Sequence, residues 1–158
     1  MVSGMTYSRM RLAAAAGLVL SVFAICPLGI GSQEPTVEEL KARVNSASVA
    51  DRPALCIRIC ERQLEAADRL YVAGDSASAG AALSDMVAFA ELARDYAIQS
   101  RKHEKPSEIA MRKMARKLSD LKHTVSHEDQ DTIQNTVDRM ERIRDDLLLA
   151  MFPKGGKK

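Results

Sequence analysis

From Cys56 to Met151 the apolar residues of this chain recur three and four positions apart, and no segment alternates with period two. That spacing lines one face of an α-helix and offers nothing to the two faces of a β-strand. Pro53 to Ala73 carries Cys56, Ile59, Cys60, Leu64, Ala67, Leu70 and Tyr71 on one stripe, with Arg58, Glu61, Arg62, Glu65, Asp68 and Arg69 between them. Gly74 stops this helix, and Asp75 or Ser76 caps the next. The second stripe is Ala79, Leu83, Met86, Val87, Ala90, Ala93 and Ala97, with Phe89, Leu92 and Tyr96 along its edge. So broad an apolar face predicts contact with two neighbouring helices.

After a charged connector from Arg101 to Lys105, Pro106-Ser107 opens a helix with Met111, Met114, Leu118, Leu121 and Val125 on one side. Ser126 and Asp129 have the spacing of a capping box, with Asp in place of Glu or Gln. The last helix runs to Phe152 on the stripe Ile133, Val137, Met140, Ile143, Leu147 and Met151. Upstream, Thr36 caps a short helix through Ala47, with Glu38 and Glu39 in its first turn. Asp51-Arg52-Pro53 supplies an acidic cap and a first-turn proline for the helix that follows. The expected fold is all-α: an antiparallel bundle of four main helices in two hairpins, plus the short helix, after a signal-peptide helix.

The first residues predict export. Arg9 and Arg11 precede an apolar run from Leu12 to Ile25, and Gly29 and Gly31 supply a small-x-small cleavage site. The run is shorter than the roughly 20 residues of a membrane-spanning helix. Cleavage after Gly31 is therefore expected, making Ser32 the first mature residue. Cys26 follows Ile25 rather than the small residue a lipidation signal requires, so it reads as part of the discarded leader. The expected organisation is a signal peptide over 1–31, a linker and short helix over 32–52, the helical bundle over 53–152 and a flexible basic tail over 153–158. The expected location is periplasmic or secreted.

Cleavage changes the charge argument. The leader holds two of the 23 basic residues and none of the 21 acidic ones, so the mature chain carries 23 − 2 = 21 of each sign. A global case for nucleic-acid binding disappears. Tyr71, Phe89, Tyr96 and Phe152 are the only mature aromatics, too few for a stacking platform.

Three sets of residues bear on chemistry. Cys56 and Cys60 stand four apart on the apolar stripe, where helical Cβ atoms lie about 5–6 Å apart against the roughly 3.5–4.5 Å of a disulfide. They read first as small buried hydrophobes, and second as part of a soft-metal site or an intermolecular disulfide. His123 and His127 are the further metal candidates, but a cap at Ser126 would separate them across a turn. Arg112, Lys113, Arg116 and Lys117 give one helix a cationic side. It could contact anionic lipid or an acidic partner, unless acidic residues at the start of the last helix neutralise it.

No Gly-x-Ser-x-Gly elbow, His-Glu-x-x-His pair, phosphate loop or dinucleotide fingerprint occurs in the sequence. The expectation is therefore a non-enzymatic, cofactor-free binding or assembly module that engages a protein partner or itself. A metal-binding or redox-responsive bundle and a membrane-surface binder are the alternatives.

Overall fold

The computed structural model describes residues 34–153. The expected signal peptide and the tail from Lys154 onward lie outside the described residues. Five helices account for almost all of the described chain: α1 (Val37–Ser46), α2 (Arg52–Val72), α3 (Ser76–Ser100), α4 (Glu104–Lys122) and α5 (His127–Met151). No strand occurs among the described residues, so the all-α expectation holds. None of these helices is long and apolar enough to cross a membrane.

The helix ends show which side chains satisfy the free backbone groups. Thr36 and Glu39 form a reciprocal capping box at α1: the Glu39 amide donates to Thr36 Oγ1 at 3.2 Å and the Thr36 amide donates to Glu39 Oε2 at 2.9 Å. At the end of α2, the Gly74 amide donates to the Tyr71 carbonyl and the Asp75 amide to the Leu70 carbonyl, which is a Schellman closure. Gly74 reaches it with φ +78°, and the Asp75 carboxylate then accepts from the Ser78 amide to start α3.

Three expected boundaries need correction. Asp51 precedes α2 but makes no cap; its backbone is already helical and its carboxylate accepts from Ser48 Oγ at 2.6 Å. Ser126 and Asp129 likewise form no capping box. The shorter Asp side chain accepts the Ser126 hydroxyl at 2.6 Å instead of reaching back to the Ser126 amide. Finally, α4 begins at Glu104, ahead of Pro106, because a first-turn proline removes an amide that has no partner within the helix. The connector before it turns sharply, with Arg101 and His103 both left-handed.

Helix α2 packs along α3, and α4 along α5; α3 also meets α5, α2 meets α4, and α1 lies against α2. The alanines Ala82, Ala90, Ala93 and Ala97 are buried along α3, which lets neighbouring backbones come close. As expected for its wide apolar face, α3 has packing partners on two sides. Ser76 at its start donates to Asp129 near the start of α5 at 2.8 Å, and Arg94 farther along pairs with Asp146 at 2.9 Å. These two helices therefore run in the same direction, and an Arg139–Glu91 ion pair lies between those contacts.

Leu40 and Val44 of α1 enter the same core as Ile59, Leu83, Met86, Met111, Leu118, Ile133, Met140 and Leu147. Polar contacts hold α1 in place: Lys41 lies 3.5 Å from Asp85 and 5.7 Å from the Phe89 ring centre, and Arg62 pairs with Glu34.

The two described glycines predict opposite outcomes. A Cβ at Gly80 would meet nothing within 4 Å, so Gly80→Ala is expected to stabilise the helix by about 1 kcal/mol. Gly74→Ala forces a left-handed alanine and is expected to cost roughly 1 kcal/mol. Urea unfolding of the two variants checks the sign difference.

Candidate functional site

Cys56 and Cys60 are free and fully buried, on the α2 stripe beside Ile59. The Cys60 thiol donates to the Met86 carbonyl of α3 at 3.3 Å. Burial raises the Cys56 thiol to about 11, against a partial opposing pull from Arg52. Burial pushes Cys60 up farther, helped by the neighbouring Cys56. Such thiols hold their protons and behave as hydrophobes with a weak S–H donor.

The other metal candidates are elsewhere. His123 ends α4 and His127 begins α5, both exposed on either side of the turn through Ser126. The structure brings neither of them to the cysteine pair. Among the described residues no three of His, Cys, Asp and Glu converge on a position suited to a metal ion. The thioethers of Met111 and Met114 are buried in the core.

The basic side of α4 is the most distinctive surface. Its polar spacing opposes the buried Met111, Met114, Leu118 and Leu121, so Arg112, Lys113, Arg116 and Lys117 all face solvent. Arg112 lies 3.6 Å from Glu108 one turn away, while Lys113, Arg116 and Lys117 form no ion pair among the described residues. The acidic start of α5 does not neutralise them. Lys122 at the end of α4 donates to Gln134 at 2.8 Å, which sets Glu128, Asp129 and Asp131 beside the turn rather than along α4.

Two of the clefts along this surface flank it on either side. One of about 340 Å³ lies between α2 and α4, with Glu65 and Asp68 facing Lys117 above Leu64 and Leu121. The other, about 330 Å³, lies between α4 and α5, where Arg112 and Arg116 approach Glu141 and Arg144. Sequence reasoning found the basic residues and missed both clefts, because helix spacing does not reveal which carboxylates on other helices come alongside.

Buried polar atoms are few. The Tyr71 hydroxyl and Ser107 Oγ have no hydrogen-bond partner among the described residues, and neither residue lines these clefts. Surface ion pairs such as Arg94–Asp95 and Arg144–Asp145 engage a minority of the other charged side chains of the bundle. A comparison with family models, curated proteins and solved structures finds no match to this chain.

Proposed function

We propose that this chain is an exported, non-enzymatic binding or assembly module of the cell envelope. In this reading two antiparallel hairpins, α2–α3 and α4–α5, pack side by side as a four-helix bundle, with α1 against the first hairpin. The observation that carries it is the exposed, largely unpaired cationic side of α4 on a mature chain with balanced charge. A basic strip left exposed on a protein of balanced overall charge is suited to electrostatic recognition. The leader pattern before Ser32 supports export, and the burial of both thiols is compatible with an oxidising compartment because it shields them from solvent.

Cell fractionation with sequencing of the recovered N-terminus tests the export part. The expected result is a chain beginning at Ser32 in the envelope or medium; a full-length chain confined to the cytosol would contradict it.

A further inference from the structure

The outward strip of α4 repeats Lys105, Ile109, Arg112 and Arg116 at spacings of four, three and four, with Lys113 and Lys117 one position round the helix. At about 1.5 Å rise per residue, Lys105 to Lys117 spans roughly 18 Å. All five cations are exposed, and Ile109 among them keeps 44 % of its surface exposed. The neighbouring elements supply flanking carboxylates but no pairing partners: Glu61 and Glu65 on α2 wall the cleft beside Lys113 and Lys117, and Glu141 on α5 stands beside Arg116.

The narrowness of the strip selects its partner. An anionic membrane is a plane, and one lying on α4 would also press its headgroups toward Glu61, Glu65 and Glu141. The apolar side of α4 is already committed to the core, leaving Ile109 as the one large apolar side chain exposed on this helix among the described residues. A single peptide segment, about 10 Å across even when helical, can follow the strip with Glu61 and Glu65 on one flank and Glu141 on the other. We infer that the outer strip of α4 is a docking surface for an acidic segment of a partner protein. Its carboxylates face Lys105, Arg112, Lys113, Arg116 and Lys117, and an apolar side chain rests on Ile109.

This inference rests on the binding-module reading and specifies its surface. The test uses the full mature chain and a fluorescent peptide of glutamates with one central leucine, followed by anisotropy at low salt and at ~0.15 M salt. Binding is expected at low salt and should weaken as salt rises. The triple variant Lys113→Gln, Arg116→Gln, Lys117→Gln is expected to lose about tenfold in affinity. A control of equal charge change on exposed residues away from α4, Arg43→Gln, Arg139→Gln, Arg142→Gln, should stay within about twofold.

Equal losses in both variants, or no peptide binding at low salt, would overturn the assignment. So would unchanged peptide affinity in the strip variant coupled with lost binding to vesicles of phosphatidylglycerol and phosphatidylcholine. Export and complex formation are measured separately, so failure of this surface is distinguishable from failure of the broader reading.

Discussion

Shortening Leu118 to alanine is expected to lower folding stability by about 2–5 kcal/mol, a large share of the roughly 5–15 kcal/mol that holds a domain of this size. Leu118 is fully buried and belongs to the core shared by all five helices. Removing its branched end loses the transfer free energy of the buried methyls, and the surrounding helices close the cavity only in part. The complementary change acts through overpacking. Ala93 is also fully buried, so Ala93→Leu should push α3 from its neighbours and cost about 1–3 kcal/mol. Urea midpoints with an unchanged slope measure both losses. A loss below about 1 kcal/mol at Leu118 would mean that α4 is not packed as described.

The cysteine pair predicts an effect of comparable size in a different observable. In the folded chain both thiols should react with an aromatic disulfide at least ~1000-fold more slowly than in the unfolded chain, because modification must await opening of the core. The same burial makes stability depend on pH. Cys56 has a folded value near 11 against an ordinary value of 9.0, and Cys60 is raised farther. Both contributions are fully present below pH 9. As pH rises from 9, the unfolded thiols release protons that the folded thiols retain, so the unfolded state gains.

The expected slope is a loss of about 1.4 kcal/mol per pH unit for each thiol. The contribution of Cys56 is spent by pH 11, where its folded form also ionises. The variant Cys56→Ala, Cys60→Ala should flatten this alkaline slope and leave the contribution of Tyr71, whose phenol is also raised by burial and by Asp129. Rapid thiol modification of the folded chain, or a double variant with the same alkaline slope, would contradict this picture of the core.

Much of the architecture was readable because helical burial obeys a local period. The stripe Cys56, Ile59, Cys60, Leu64 and Ala67 is buried throughout, as is Ile133, Val137, Met140, Ile143 and Leu147. The burial of the two thiols follows from their place on that stripe. Helix ends were less legible, since they turn on competition between nearby side chains. Asp51 takes the Ser48 hydroxyl and Asp129 takes those of Ser126 and Ser76, and such choices depend on geometry beyond spacing. Thr36 was legible as the cap of α1, whereas Glu39, whose spacing completes the capping box, was read only as first-turn charge.

The candidate site divides in the same way. That Arg112, Lys113, Arg116 and Lys117 share one side of a helix is a local fact. That the acidic start of α5 leaves them unneutralised depends on how α4 and α5 are aligned, which Lys122 and Gln134 report and no local pattern encodes. The ion pairs joining α3 to α5, such as Arg94–Asp146, span long sequence separations and were invisible for the same reason.

The central claim is that the chain works as an exported module bound to a protein. Intact-mass analysis of the tagged chain, crosslinked in living cells and isolated from the envelope, tests it most directly. The account predicts a species beginning at Ser32, joined to a second protein chain and heavier than the mature chain alone. A monomer that retains its leader and carries no crosslinked protein would contradict it.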